Sequence, residues 1–141
     1  MNQTIKISID LTDEQYTHLE LNDLDSLYEV IFAEGNINDC CGTIICSRNQ
    51  LNSQLSFAVD KEHGIYIGIF EDKKSLLSLN DYGKLAETID VWGDDLLISE
   101  GLFIDFQIAW AAIQEYVNSG TIYENVKWIG PDDLPEGGNY I

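Results

Sequence analysis

Gln54-Leu55-Ser56-Phe57-Ala58-Val59-Asp60-Lys61-Glu62-His63-Gly64-Ile65-Tyr66-Ile67-Gly68-Ile69-Phe70 decides the fold. On each side of Asp60-Lys61-Glu62-His63-Gly64 large apolar side chains alternate with small or polar ones, the period of two that marks a strand. Residues 54–60 and 64–70 therefore read as two strands, and a turn this short joins only antiparallel neighbours. Outward from the hairpin the same period returns at 43–47 before it, and at 75–79, 88–92 and 96–98 after it, with Gly93-Asp94-Asp95 as a second turn. Alternating Ile5, Ile7 and Ile9 give a strand at the start, and 126–129 one near the end.

Two stretches change to the helical period. In 24–33, Leu24, Leu27, Tyr28, Ile31 and Phe32 make an i, i+3, i+4, i+7, i+8 stripe. Asn22 or Asp23 can cap that helix, Asp25 complements its dipole, and Gly35 lies past its end. In 106–118 the stripe is Phe106, Ala109, Trp110, Ile113, Tyr116 and Val117, with Asp105 as N-cap and Gly120 as the stop. The order β-α-β-β-β-β-β-β-α-β places no helix between the middle strands. The expected fold is α+β, a largely antiparallel sheet of about six to eight strands with both amphipathic helices packed on it. A length of 141 residues suits one domain, 1–141, with no repeat or linker. Pro131, Pro135 and the glycines around them mark 130–141 as an irregular tail.

Charge carries the strongest functional signal. There are 25 acids against 7 Lys plus Arg, a formal net of −18. Between 85 and 126 no Lys or Arg occurs, while Glu87, Asp90, Asp94, Asp95, Glu100, Asp105, Glu115 and Glu124 do; the first 40 residues hold one base, Lys6. Such a field repels nucleic acid and anionic membranes and speeds the approach of basic proteins. An acidic surface also keeps a protein soluble, but −18 on so short a chain points to a basic partner. The alternation after Met1 is unlike a secretory leader, and no apolar run reaches the roughly 20 residues of a membrane span. Cys40, Cys41 and Cys46 are odd in number and clustered, a poor disulfide framework, so a reducing cytoplasm is the expected compartment.

Catalysis needs a positioned base, a nucleophile or a metal, and the inventory is short. His63 falls in the hairpin turn, where solvation is its usual lot, and His18 precedes the first helix without an obvious partner. Cys41 or Cys46 with His63 is a conceivable nucleophile pair without a supporting motif, and buried cysteine is the commoner case. Cys40, Cys41, Cys46 and His63 lack paired C-x-x-C spacing for zinc, and adjacent cysteines cannot easily point at one ion. Asp94-Asp95 and Asp132-Asp133 lack the ligand pattern of a calcium loop, and there is no glycine-rich phosphate loop. No catalytic residue, cofactor or metal is therefore expected. What remains is aromatic residues among acids, which suits a protein interface. Trp92, Asp94, Asp95 and Glu100 are the first candidate contacts, and Tyr66, Glu71 and Asp72 the second. Trp110 and one face of the Tyr66 strand belong with the core.

The second half, 53–129, also resembles a known family. The matching residues are Leu102-Phe103-Ile104-Asp105 leading into the helix, Glu115-Tyr116-Val117-Asn118-Ser119-Gly120 closing it, and Val126-Lys127-Trp128 after it. Leu55-Ser56-Phe57-Ala58-Val59 and Gly64-Ile65-Tyr66-Ile67 fit the family's central strands. Together they resemble the first-numbered family of immunity proteins from bacterial polymorphic-toxin and contact-dependent inhibition systems. Phe103-Ile104 stands where that family carries a proline. The resemblance implies a cytoplasmic domain that binds and neutralises a cognate toxin, commonly a nuclease or deaminase with a basic C-terminal toxin domain, without catalysis. Two other readings stay open: an acidic mimic of nucleic acid that binds basic proteins broadly, and a small enzyme or metal-binding regulator built on the cysteines.

Overall fold

The computed structural model describes residues 4–11, 17–48, 51–91 and 97–140. In chain order they form β1 (Thr4–Leu11), β2 (His18–Leu21), α1 (Leu24–Ile31), β3 (Cys40–Arg48), β4 (Leu51–Asp60), β5 (Gly64–Glu71), β6 (Lys74–Leu79), β7 (Thr88–Asp90), β8 (Leu97–Ser99), β9 (Phe103–Ile104), α2 (Phe106–Ser119) and β10 (Lys127–Ile129). The main sheet runs β10-β6-β5-β4-β3-β1-β2, with β9 also paired to β5. Every pairing is antiparallel. The α+β expectation holds, with two elements the pattern did not reveal: β2, four residues long, and β9, only two.

Odd residues of β1, β4 and β5 and even residues of β3 point to one face, where Ile7, Ile9, Cys40, Ile44, Leu55, Phe57, Ile65 and Ile67 are fully buried. Both helices close this layer through Leu27 and Ile31 of α1 and Ala109, Trp110, Ile113, Tyr116 and Val117 of α2. Asp23 caps α1 by accepting from the Ser26 N–H at 2.8 Å, and that bond holds its carboxyl below the usual carboxylate range. Asp105 caps α2 by accepting from the Gln107 and Ile108 N–H groups, and Gly120 ends it at φ 73°. α1 stops at Ile31, short of the expected 33, and tightens into a single 3-10 turn, Ala33–Gly35.

The other face carries a second core of Cys41, Ala58, Tyr66, Leu77, Leu79, Leu85, Ile98, Leu102, Phe103 and Ile129. Its cover is the stretch between β6 and β9, in which β7 and β8 pair as a separate ribbon rather than joining the sheet. This corrects the sequence reading, which counted both as members of the sheet. The irregular tail is tied to the ribbon: Ser99 N donates to Asn139 O, Asn139 N donates to Ser99 Oγ, and Tyr140 stacks on Phe70 at 6.1 Å.

One edge of β5 is shared by two strands. Gly68 to Glu71 pair with β6, while Ile65 and Tyr66 pair with β9. Buried Ser78 fills the gap between them. Its Oγ accepts from Ile67 N at 2.9 Å and donates to Leu102 O at 2.8 Å, so the ladder passes from one neighbour to the next without an orphaned group there. Gly64 serves the same junction. Its φ is +121°, and a Cβ there would lie 2.1 Å from Ile104 O.

Candidate protein-binding face

The expected contact residues do not form one patch. Trp92, Asp94 and Asp95 lie outside the described residues. Tyr66 is fully buried, packed against Phe103 with ring centroids 6.4 Å apart, which removes it from any interface. Its even position turns it into the second core, away from solvent. Glu71 accepts from the Tyr116 hydroxyl at 2.6 Å and so helps to anchor α2; burial, then this carboxylate, pushes the Tyr116 pKa up. Asp72 sits in the β5–β6 turn beside Lys73 and Lys74. Glu100 lies at the opposite end of β5, roughly 23 Å away for an eight-residue strand.

That far end, around the β4–β5 turn, is where carboxylates gather. Asp39 accepts from Lys61 N at 2.7 Å. Asp60 accepts from Glu62 N and meets His63 Nδ1, both at 2.9 Å. His63 Nε2 lies 3.7 Å from Glu100, whose other oxygen is 3.0 Å from Lys84 Nζ. Glu100 N donates to Glu87 O, and Asp81 N to Gly101 O. Asp105 follows Ile104, which is in register with Ile65 beside the same turn. His63 is thus held in a network rather than merely solvated. Lys61 and Lys84 stand among these acids and Lys127 pairs with Leu79 toward the same end, while Lys6, Lys73 and Lys74 lie toward the other end of the strands.

On the helix side of this end the two helices meet. Tyr28 is 5.3 Å from Trp110 and 4.8 Å from Phe32 between ring centroids. Phe32 in turn stands edge-on to Trp110 at 6.0 Å and to Phe106 at 6.5 Å. Pairs of this kind are each worth about 0.5–1.5 kcal/mol beyond their burial, so the rings are fixed in place. The stripe reading buried Tyr28 with its neighbours, yet Tyr28 is 42% exposed, as is Ile108 on α2. Tyr28 and Phe32 line a groove of about 620 Å³ together with Glu29, Ala33, Asn36 and Asn38. From 19 to 47 the sequence has no Lys, Arg or His, and from 85 to 126 it has none either. The aromatic contacts bring these two base-free stretches together. The sequence signal for this face was thus the pair of base-poor stretches, one in the first 40 residues and one from 85 to 126.

A second hollow, about 550 Å³, lies where the sheet is left open, lined by Thr4, Lys6, Ile45, Ser47, Ser53, Gln54, Phe70 and Glu71. Its charge is mixed, and it lacks the paired rings. At the outer strands His18 has partners that the sequence did not reveal: Asp10 at 2.6 Å through Nδ1, and Glu20 through Nε2. These hydrogen bonds raise the His18 pKa above its ordinary 6.5 and lower that of Glu20.

β3 begins at Cys40, three residues before the expected 43, so all three cysteines lie on it. Adjacent Cys40 and Cys41 therefore point to opposite faces, Cys40 to the helix-side core and Cys41 to the other. Burial pushes the Cys41 thiol up to about 11, with Asp10 adding to it, and pushes Cys40 further. Among the described residues no three His, Cys, Asp or Glu side chains are grouped to hold a metal ion, and no helix is long and apolar enough to cross a membrane.

No protein-family model matches this chain, and no curated protein and no solved structure matches it. The resemblance to immunity proteins rests on the quoted residues alone.

Proposed function

We propose that this protein is an immunity protein, which binds a cognate toxin domain and neutralises it one-to-one without chemistry of its own. The observation that carries this reading is the meeting of two base-free stretches at the Tyr28–Phe32–Phe106–Trp110 contact. It gives an aromatic surface beside the carboxylate-rich end of the sheet. Toxins that act on nucleic acid need basic substrate surfaces, because phosphate contacts dominate that binding. An acidic face with apolar anchors occupies such a surface, gaining on-rate from the field and residence from the rings. The partner is a basic C-terminal toxin domain of a nuclease or deaminase, met in the cytoplasm; nucleic acid and membrane are repelled. The segregation of Cys40 and Cys41 onto opposite faces weighs against the cysteine-based alternative.

The test uses this protein as bait in lysate of its source organism, washed at moderate salt. The retained domain is then expressed with and without this chain. One dominant basic partner in a one-to-one complex, toxic alone and harmless in company, supports the proposal. A mixture of unrelated basic proteins that washes off with salt would favour the nucleic-acid mimic instead.

A further inference from the structure

We infer that the groove over Tyr28 and Phe32 receives an arginine side chain presented by the basic partner. This deepens the proposed function and rests on it.

Three features of the groove choose the occupant. Two of its six lining residues are aromatic, Tyr28 and Phe32, and the faces of such rings attract cations through their quadrupole. Trp110, only 8% exposed, and Phe106 hold these rings from behind, so little reorganisation accompanies binding. Its wall supplies acceptors: the Glu29 carboxylate, and the Asn38 side-chain oxygen, since the Asn38 Nδ2 already donates to Val30 O at 2.7 Å. Neither chain segment that builds it carries a cation, since 19–47 contains none and 85–126, which brings α2 alongside, contains none; the basic residue that comes near is Lys61, whose backbone N–H donates to Asp39 beside Asn38.

A planar guanidinium can lie on the rings and hydrogen bond along its edge to Glu29 and Asn38 in one pose. An ammonium satisfies either the rings or the acceptors, and an apolar side chain leaves the acceptors unused. A second copy of the chain is a poor occupant, because each copy carries a net −18 and like fields oppose association. The open hollow on the other side of the sheet does not offer the same site, since Lys6 already stands in it.

The probe is N-acetyl-arginine N-methylamide, titrated into the isotope-labelled full chain while backbone amide signals are followed. Saturable shifts confined to Tyr28, Glu29, Ala33, Asn36 and Asn38 are expected. The neutral citrulline analogue should give none, and the lysine analogue should bind more weakly. Tyr28→Ala should weaken the arginine probe about tenfold. Glu29→Gln, an exposed and conservative change, should weaken it by about three- to tenfold. Equal shifts from arginine and lysine would overturn the guanidinium assignment, and shifts spread over Glu62, Glu87 and Glu100 would reduce the effect to overall charge. With the purified toxin in hand the two conclusions separate. If the toxin binds wild type and Tyr28→Ala equally, the groove fails and the inhibitor stands. If the probe saturates the groove while no toxin is ever found, the site stands and the inhibitor fails.

Discussion

Replacing Ser78 with alanine tests whether the shared edge of β5 works as described. The hydroxyl is fully buried and serves two backbone groups, accepting from Ile67 N and donating to Leu102 O. Removing it leaves a donor and an acceptor without that partner in a region closed to water. Each such group costs about 1–3 kcal/mol, so the pair should destabilise the fold by roughly 2–6 kcal/mol. Against a total stability of about 5–15 kcal/mol for a typical domain this is a large fraction. Urea unfolding reads it directly: the midpoint should fall while the slope stays constant, since the surface exposed on unfolding is unchanged. Ser78→Cys, of similar shape but a weaker donor and acceptor, should fall between the two. Amide exchange at Ile67 should accelerate more than at Leu55, on the neighbouring strand β4 away from Ser78. A loss below about 1 kcal/mol would mean that β6 and β9 close up without the hydroxyl, and the account of the junction would be wrong.

Four further outcomes are expected. Glu62→Lys combined with Glu87→Lys, both exposed, should slow association with the toxin by about tenfold at low salt, and the gap should close as salt rises; an unchanged rate would remove the steering role of this end. His18 should titrate above 6.5 by NMR, and Asp10→Asn should bring it back toward that value. Because the folded form holds the proton more tightly, its contribution to stability is complete below pH 6.5 and disappears as pH rises through the folded midpoint. The stability difference from His18→Gln should follow that course, and a difference that grows with pH would contradict it. Native protein at pH 8 should react slowly with a thiol reagent at Cys40 and Cys41 and rapidly once unfolded, as burial and raised pKa require; rapid native labelling of either would contradict the buried assignment.

The sheet was legible wherever period two ran long enough, as in 54–60 and 64–70, and both helices were legible from their caps and stripes. β2 and β9 were not, because a strand of two or four residues contains too few alternations to stand out from a loop. Neither was the separation of β7 and β8 from the sheet, since alternation reports a strand but not its neighbour. The same limit explains Tyr66. Its place beside Glu71 in sequence suggested a shared surface, but parity sends it into the second core while Glu71 faces α2. Tyr28 erred in the other direction: a helical stripe is wider than the contact it makes, and the residue at its border stays half in water. The partners of His18 come from a strand eight residues earlier and from its own strand, an arrangement that depends on the β1–β2 register.

The α1–α2 contact has a consequence for when the protein becomes competent to bind. The β3-β4-β5-β6 meander is made of neighbours in sequence and is the part expected to form early, since short loops cost little entropy to close. Tyr28 and Trp110 are separated by that entire meander and by the β7–β8 ribbon. The groove is lined by residues 28–38, but its rings gain the backing of Phe106 and Trp110 only when the last third docks. Full affinity therefore reports completion of the fold. Of two fragments divided between β6 and α2, the first would hold the groove's lining without its aromatic backing, and full affinity would mark their reassembly.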